Sequence, residues 1–326
     1  MRKKILVTGG AGYIGSHTVV ELYLSGYMPI IVDNLSNTSE RNLIGINQIL
    51  KTDIPFHKVD CTDLNEMQNI FKNYEDIYAC IHFSAYKSVG ESVENPKKYY
   101  KNNIGSTEVL LKCLEKNKFK NLIFSSSCTV YGIPDTLPVN EDASFKKAES
   151  PYGETKQQCE ILISKNLCNS ISLRYFNSIG SHDSGLIGDC STDNANNLVP
   201  IVTEVACGIR DKLIVNGNDY NTHDGTCIRD YIHVQDLAIA HVKALDFLLD
   251  NKVKDVFNVG TGKGLSVLDI IDGFQEANEL KLNYEFGPRR EGDVEKIYSD
   301  GNKTKDILDW SANRTTKEAL ISAWNW

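Results

Sequence analysis

A glycine-rich loop near the start of the chain constrains its fold more than any other feature. The β-branched run Ile5–Val7 leads directly into the segment Thr8–Gly15, which reads Thr-Gly-Gly-Ala-Gly-Tyr-Ile-Gly and opens an apolar helical stretch. Its glycines at 9, 12 and 15 allow a tight turn, close approach of the backbone to a ligand, and close packing of helix on strand. Free N–H groups and a partial positive charge at the start of that helix suit a pyrophosphate. The loop therefore predicts a strand–turn–helix unit that binds a dinucleotide.

Short apolar runs alternate with helical stretches along the first half of the chain. The runs lie at Ile30–Val32, Phe56–Val59, Ala79–Phe83, Leu122–Ser125 and Ile171–Arg174. Runs this short between helices are typical of parallel strands that are buried on both faces and joined by crossover helices. The pattern predicts an α/β fold with a doubly wound parallel sheet of the Rossmann type.

The pattern changes after about residue 178. Ser181–Asn197 and Asn216–Gly225 are polar segments rich in Gly, Asp and Asn, and they predict two long loops. A later apolar run, Val256–Val259, indicates a strand that returns to the first sheet. We predict a nucleotide-binding domain over 1–177, with a strand returning near 234–262, and a smaller α/β substrate domain over 178–326.

Composition restricts the classes of partner. The 326 residues are 41% hydrophobic and 24% charged with a net charge of −8, which argues against binding to nucleic acid or an anionic membrane. No apolar stretch approaches the roughly 20 residues that span a bilayer, and the opening residues resemble no secretory signal, so we expect a cytoplasmic protein. Nine cysteines without a Cys-x-x-Cys pair indicate neither a disulfide framework nor a zinc site, and we predict no metal.

Two carboxylates end strand-like runs near the glycine loop. Asp33 ends the second run, about 20 residues beyond the loop, where the ribose of an adenosine would lie. A carboxylate there accepts a hydrogen bond from the 2′-hydroxyl of NAD and repels the 2′-phosphate of NADP. Asp60 follows the third run and is predicted to face the adenine. The pattern favours NAD as the cofactor.

Tyr152 and Lys156 form a second motif. Ser150 followed by Pro151 is a typical helix start, which places the two side chains at i and i+4 on one face, about 6 Å apart at Cβ. Tyrosine has an ordinary pKa near 10 and is a poor base at neutral pH. Lowering that pKa by ~3 units needs about 4 kcal/mol, which we expect from Lys156 together with a positively charged nicotinamide.

A run of three serines, Ser125–Ser127, lies at the predicted carboxyl end of the fifth strand. Open α/β sheets bind ligands at that edge, and a serine hydroxyl there can hold a reacting oxygen while Tyr152 removes its proton. The glycine loop, Asp33, Ser127 and the Tyr–Lys pair together predict a hydride-transfer site with its own base.

These motifs resemble the extended short-chain dehydrogenase/reductase family and, within it, the UDP-hexose 4-epimerases. The resemblance runs from residue 5 to the C-terminus, and the segments that carry it are Val7–His17, Lys87–Ser92, Ser125–Gly132, Arg174–Asn177, Ser184–Gly188, Asn196–Leu198, Arg229–Val234 and Arg289–Asp293. It implies a homodimer, formed through helices near Pro96–Asn117 and Pro151–Leu167. It also implies interconversion of UDP-galactose and UDP-glucose through a 4-keto sugar, with NAD retained throughout.

The resemblance also implies individual roles. Tyr152 would take the proton of the 4-hydroxyl, Ser127 would hydrogen-bond that oxygen, and Lys156 would hold the nicotinamide ribose. The implied NAD site comprises Gly9, Gly12, Tyr13, Ile14, Gly15, Asp33, Asn34, Asp60, Cys61, Phe83, Lys87, Asn102, Tyr152, Lys156 and Tyr175. The implied UDP-sugar site comprises Ser127, Tyr152, Asn177, Asn197, Asn216, Arg229, Arg290, Asp293 and Ile297. Among these, the two arginines suit a diphosphate because each offers a fork of donors.

Several positions keep alternatives open. Asn216 stands where the family usually has an aromatic residue near the uracil, and Ile297 occupies the position that gates sugar size. Tyrosine at that gate accompanies glucose and galactose only, whereas small residues also admit N-acetylated sugars. Isoleucine is intermediate, so a UDP-N-acetylglucosamine 4-epimerase or a dual-specificity enzyme stays open.

Two other classes are less favoured. Sugar-nucleotide dehydratases and decarboxylases usually carry an acid shortly after the strand-five serine, where this chain has Cys128 and Thr129. A non-catalytic NAD-sensing protein commonly lacks the Tyr or the Lys, and both are present here.

Overall fold

A seven-stranded parallel sheet organises the first half of the chain in the computed structural model, which describes residues 2–190 and 197–326. Its strands are β1 Lys4–Thr8, β2 Met28–Asp33, β3 Phe56–Lys58, β4 Ile77–His82, β5 Asn121–Ser127, β6 Asn169–Tyr175 and, from later in the chain, β10 Lys254–Val259. The spatial order is β10-β6-β5-β4-β1-β2-β3, and every neighbouring pair is parallel. The predicted doubly wound Rossmann sheet is thereby confirmed.

Helices cover both faces of this sheet. They are α1 Tyr13–Leu24, α2 Arg41–Leu50, α3 Leu64–Asn73, α4 Val89–Glu94, α5 Pro96–Tyr99, α6 Gly105–Lys116, α7 Pro151–Lys165 and α9 Val234–Asn251, with a π-helix at Tyr100–Ile104 and a 3₁₀ turn at Cys128–Tyr131. Along β1, Ile5 and Val7 belong to one buried cluster and Leu6 to another, because successive side chains of a strand point to opposite faces. This explains why the strands read as continuous apolar runs.

The later chain builds a smaller unit around a short sheet. Its strands are β7 Asn177–Ile179, β8 Leu213–Asn216, β9 Ile228–His233, β11 Gly264–Ser266, β12 Tyr284–Gly287 and β13 Lys296–Ile297, and its helices are α8 Leu198–Ala206, α10 Val267–Asn278 and α12 Thr316–Asn325. Helix α11 Asn302–Leu308 packs instead on β10 and α9 of the larger unit. Strand β9 pairs in parallel with β7 and β13 and antiparallel with β11, while β8 and β12 form a separate parallel pair. The predicted loop over 181–197 contains no helix or strand in its part up to residue 190, and residues 191–196 lie outside the described range.

A second glycine-rich segment, Gly260–Gly264, encloses a carboxylate of the protein itself. Asp230 is fully buried on β9 and accepts hydrogen bonds from the Thr261 N–H at 2.8 Å and the Gly262 N–H at 3.1 Å. It also accepts the Ser299 hydroxyl at 2.6 Å. A Cβ at Gly260 would stand 2.4 Å from Asp230 Oδ2, so the close approach requires glycine. This contact fixes β9, which carries Arg229, against the end of β10.

The described residues contain no helix with the combined length and hydropathy needed to cross a membrane.

Candidate active site

A cleft of about 1050 Å³, including its opening to solvent, lies at the carboxyl ends of the parallel strands. It is centred where the strand order reverses between β1 and β4, which is where open α/β sheets bind ligands. All fifteen residues that the sequence predicts for the NAD site line this cleft, namely Gly9, Gly12, Tyr13, Ile14, Gly15, Asp33, Asn34, Asp60, Cys61, Phe83, Lys87, Asn102, Tyr152, Lys156 and Tyr175.

The glycine loop is shaped by contacts that leave no room for a side chain. Gly9 has φ +71°, and a Cβ there would lie 2.7 Å from the Ser84 backbone nitrogen after β4. A Cβ at Gly15 would lie 2.2 Å from the Gly9 carbonyl oxygen. Helix α1 begins directly after Gly12, which provides no side-chain cap, so its first N–H groups can be offered to an anionic ligand.

Two carboxylates, Asp33 and Asp60, also line the cleft. Asp33 accepts hydrogen bonds from the Leu35 N–H at 2.9 Å and the Ala11 N–H at 3.2 Å, and burial raises the pKa of its carboxyl against these bonds. Burial also raises the pKa of Asp60, but hydrogen bonds from the Thr62 N–H and hydroxyl outweigh it and leave this pKa below its usual value. Asn37 also lines the cleft, and its Oδ1 is buried without a hydrogen-bond partner among the described residues.

Helix α7 carries the Tyr–Lys pair as predicted. Ser150 caps the helix by accepting a hydrogen bond from the Gly153 N–H at 3.2 Å, and Pro151 is its first residue. Lys156 Nζ lies 5.8 Å from the centre of the Tyr152 ring and donates to the Ser125 carbonyl oxygen at 2.6 Å. The helical spacing therefore brings both side chains to the ends of β5 and β6.

The pKa of Tyr152 is not lowered in the way that a neighbouring lysine alone would suggest. Burial raises the pKa of Tyr152 to about 12, and the hydrogen bond with Ser127 only partly offsets this. Burial likewise lowers the pKa of Lys156 to about 8. Lys156 by itself therefore does not produce the low tyrosine pKa that a base needs, because its ammonium donates to the Ser125 carbonyl and burial outweighs its effect on the phenol. The remaining positive charge must come with a ligand.

Ser127 holds a hydroxyl whose direction is set by its neighbours. Its Oγ accepts hydrogen bonds from the Thr129 N–H at 3.2 Å and the Thr129 hydroxyl at 3.0 Å. A serine hydroxyl has two lone pairs and one proton, so its proton stays available to another acceptor, and its interaction with Tyr152 lowers the pKa of that phenol. The arrangement can hold a substrate hydroxyl between a serine donor and a tyrosine base.

The structure also reveals a residue that sequence reasoning missed. Asn103 is buried in the π-helix, and its amide accepts from the Tyr86 N–H at 2.9 Å and donates to the Tyr86 carbonyl at 3.1 Å. It donates as well to the Thr155 hydroxyl at 3.1 Å, so it joins the segment before Lys87 to helix α7. A π-bulge of this kind is frequent at functional sites, but the sequence shows no signal for it.

Nine further residues that line the cleft were not predicted, namely Ser36, Asn37, Thr38, Val59, Ser84, Ala85, Tyr86, Ser125 and Ser178. Most of them directly follow β2 or β4. The rule that ligands bind at carboxyl ends of strands is the signal that would have found these.

The residues predicted for the UDP-sugar are more dispersed. Asp293 Oδ1 lies 2.7 Å from Arg290 and 3.5 Å from Arg229, so one carboxylate joins the two guanidiniums. Ile297 is buried and pairs in register with Arg229, which places the predicted gate beside this cluster. Asn177 begins β7 and Asn197 lines the cleft, whereas Asn216 is exposed at the end of β8.

One group with metal-ligand chemistry occurs among the described residues, at His223, Asp224 and Asp269. His223 Nε2 lies 3.5 Å from an oxygen of each carboxylate, and both carboxylates already accept hydrogen bonds from Ser266. The group is outside the cleft, and we assign it no role.

Comparison with known proteins places this geometry in a family. Residues 6–322 match the family model for GDP-mannose 4,6 dehydratase. The chain is 46% identical to UDP-glucose 4-epimerase of Dictyostelium discoideum, over 99% of this chain and 95% of that protein. It superposes on UDP-glucose 4-epimerase of Stenotrophomonas maltophila, with bound NAD and formylated UDP-arabinopyranose, with a TM-score of 0.96, 40% identity and coverage of 100% and 98%. UDP-glucose 4-epimerase of Bifidobacterium longum, in complex with NAD⁺ and UDP, gives a TM-score of 0.94, 40% identity and coverage of 99% and 97%.

The dinucleotide cleft, the Tyr–Lys helix and these chain-long likenesses agree with one another. The chain belongs to the UDP-glucose 4-epimerase family of extended short-chain dehydrogenase/reductases.

Proposed function

We propose that this protein interconverts UDP-galactose and UDP-glucose as an NAD-dependent 4-epimerase, an isomerase of carbohydrate metabolism. The observation that carries the proposal is the presence of both Tyr152 and Lys156 in the lining of a cleft that also contains the glycine loop. Residues 1–177, with the strand returning near 234–262, form the NAD domain in this proposal, and the rest of 178–326 holds the sugar nucleotide.

The cleft fits NAD residue by residue. The glycine loop accommodates backbone approach, the Asp33 carboxylate suits a ribose 2′-hydroxyl, and the unpartnered Asn37 oxygen can accept a further ligand hydroxyl. When bound, NAD supplies a hydride acceptor for sugar C4 and a positive charge beside the Tyr152 phenol. That charge favours the phenolate, which burial alone disfavours.

Tyr152 then acts as general base and acid on the 4-hydroxyl. Its phenolate would accept the hydroxyl proton when C4 is oxidised to the ketone, and it would return that proton when the ketone, having turned over, regains its hydride on the opposite face. Ser127 donates its proton to the reacting oxygen, which stabilises the negative charge that develops there. Lys156, held by the Ser125 carbonyl, is positioned for the nicotinamide ribose.

Arg229, Arg290 and Asp293 provide an anchor for the nucleotide. Asp293 forms ion pairs with Arg229 at 3.5 Å and Arg290 at 2.7 Å, and its single negative charge balances only one of the two guanidiniums. A diphosphate offers these arginines more oxygens than one carboxylate does, which frees Asp293 for the uridine ribose. Asn177, Asn197 and Asn216 complete the proposed site. A tightly held nucleotide and a loosely held sugar allow the ketone to present its opposite face.

We also propose a cytoplasmic homodimer that pairs through the helices near Pro96–Asn117 and Pro151–Leu167. Val93 on α4 and Ile161 on α7 support this, since these apolar side chains are 41% and 42% exposed on neighbouring helices.

A coupled assay on purified protein with UDP-galactose, without added NAD, tests the function. We expect turnover to UDP-glucose with retained cofactor. A parallel assay with UDP-GalNAc addresses the alternative of N-acetylated substrates, and we expect Ile297→Tyr to reduce any such turnover because the larger ring fills the space beside Arg229. Turnover of UDP-GalNAc alone would favour the UDP-N-acetylglucosamine 4-epimerase, and no turnover of either would reject both.

Asp33 should determine the choice between NAD and NADP. We expect Asp33→Asn to lower the ratio of the Kd for NADP to the Kd for NAD at least tenfold, because the substitution removes the charge that repels a 2′-phosphate. The Kd values of both cofactors, measured on cofactor-free protein, give the ratio. Asp60→Asn is the matched control, since Asp60 is proposed to face the adenine and its loss should affect both cofactors alike. An unchanged ratio in Asp33→Asn would contradict the assignment.

A further inference from the structure

The segment after β7 crosses from the smaller unit onto the glycine loop. Ser178 of β7 lines the cleft, and the chain leaves the cleft wall after it. Two residues on, the Gly180 carbonyl accepts a hydrogen bond from the Tyr13 hydroxyl at 2.5 Å. The residues Gly185–Cys190, which we call the strap, then lie against α2 and the glycine loop.

Asn42 of α2 binds the strap with its whole carboxamide. Its Nδ2 donates to the Gly188 carbonyl at 3.1 Å, and its Oδ1 accepts from the Gly188 N–H at 3.2 Å. The same Nδ2 donates to the Ala11 carbonyl of the glycine loop at 3.1 Å. Asn42 is fully buried, so it joins the strap to the cofactor loop without competition from water.

Packing holds the strap on both sides of this bridge. Ile187 is fully buried in the core that includes β1 and α1. Leu186 approaches α2 so closely that a Cβ at Gly45 would lie 2.1 Å from its carbonyl oxygen. Undocking the strap therefore breaks the Asn42 hydrogen bonds and exposes an isoleucine.

The last two residues of the strap reach the rim of the cleft. Asp189 Oδ2 forms an ion pair with Lys87 Nζ at 3.0 Å, and Cys190 Sγ lies 3.2 Å from the Thr38 hydroxyl. Lys87 and Thr38 both line the cleft. The strap thus connects three pieces of the cofactor site that are far apart in sequence.

We propose that the strap retains NAD, with Asn42 and the Lys87–Asp189 ion pair as the contacts that hold it closed. The inference rests on the proposed function, in which one NAD must stay bound through both half-reactions. A dinucleotide lying on the glycine loop is released only after the strap undocks. Asn42 is a positioning residue in this scheme, since it acts on the strap and on Ala11.

Release of NAD from loaded protein tests the proposal without reference to turnover. Loaded protein is mixed with excess ADP-ribose as trap and desalted at intervals, and the remaining NAD is quantified. We expect Asn42→Ala to release NAD at least tenfold faster than the unaltered protein. Asn47→Ala is the matched control, because Asn47 lies on the same helix and bridges Asp53 and Ile54 away from the strap. Its release rate should stay within about twofold.

A reversible disulfide that ties the strap to the cleft wall provides a second, independent experiment. Thr38→Cys places a thiol opposite Cys190, in a background of Cys207→Ser that removes the exposed cysteine. Diamide takes two electrons and two protons from the two thiols and leaves a disulfide between them. We expect the oxidised variant to release NAD at least tenfold more slowly, and dithiothreitol to restore the original rate.

The possible outcomes distinguish a failure of the strap proposal from a failure of the proposed function. An unchanged rate of NAD release in both Asn42→Ala and the oxidised Thr38→Cys variant would overturn the proposal that the strap retains NAD. If Asn42→Ala does not fold, the oxidised Thr38→Cys variant decides the question alone. A normal rate of NAD release from that cross-linked protein would show that the strap does not retain NAD. If the unaltered protein binds no NAD, the proposed function itself fails.

Discussion

Tyr152→Phe is expected to lower kcat for UDP-galactose at least 10³-fold while the protein keeps its fold and its NAD. The substitution removes only the phenolic oxygen that takes and returns the 4-hydroxyl proton, and general acid–base groups contribute roughly 10²–10⁴-fold. The ring itself stays packed against Tyr99, whose ring centre is 6.5 Å away. The coupled assay gives kcat, and absorbance of the released cofactor gives the NAD content.

Tyr99→Phe is a suitable control because it removes a neighbouring phenolic oxygen that donates to Glu91 at 2.7 Å. Its loss should affect stability by about 1 kcal/mol and kcat only a few-fold. The role given to Tyr152 would be untenable if Tyr152→Phe kept more than a tenth of the original kcat.

Mild acid should strongly reduce the free energy of unfolding. His17, His82, His233 and His241 are at most 2% exposed, and burial lowers their pKa values to about 3, 3, 4 and 4. In the unfolded chain each takes a proton near pH 6.5, so between pH 6.5 and about 4 the unfolded state binds more protons. Stability is therefore complete above this window and is lost as the pH falls through it.

The size of this effect follows from the number of protons. Each such histidine lowers the free energy of unfolding by about 1.4 kcal/mol for each pH unit of acidification within this window. Burial raises the pKa values of Asp33 and Glu141, so these two carboxyls change the free energy of unfolding in the opposite direction. We expect a net uptake of at least two protons on unfolding, or about 3 kcal/mol per pH unit between pH 6 and 5. Urea unfolding at pH 7.5, 6.0 and 5.0 measures the slope.

His241→Phe should reduce that slope by one proton. His241 is fully buried, and its ring packs beside Phe83 and Tyr175, so a phenyl ring suits the site. His223→Gln is the control, since this side chain is 56% exposed in the folded protein. Equal slopes in all three proteins would show that buried histidines do not cause the acid sensitivity.

Local patterns explain which features were predictable. The turn at Gly9, the carboxylate at Asp33 and the Tyr152–Lys156 pair each depend on spacing within one strand–turn–helix unit or one helix. Hydrophobic runs predicted six strands of the large sheet and the returning β10 within a few residues, because buried parallel strands have an apolar side chain on both faces. The doubly wound class followed from their alternation with helices.

Long-range contacts explain what was not predictable. Asn103 meets Tyr86 and Thr155 across 17 and 52 residues, and Asn42 meets Gly188 across 146. No periodicity in the sequence indicates such pairs, since they arise only when the sheet brings distant loops to one edge.

The sequence by itself determined the glycine-rich turn, the position of the Asp33 carboxylate at the end of β2 and the helix that carries Tyr152, because these depend on residues a few positions apart. Tertiary structure alone decided that burial raises the pKa of Tyr152 to about 12 and that Asp293 joins Arg229 to Arg290. The physical reason is that desolvation and ion pairing depend on which surfaces the folded chain brings together, and neither can be read from the spacing of residues along the chain.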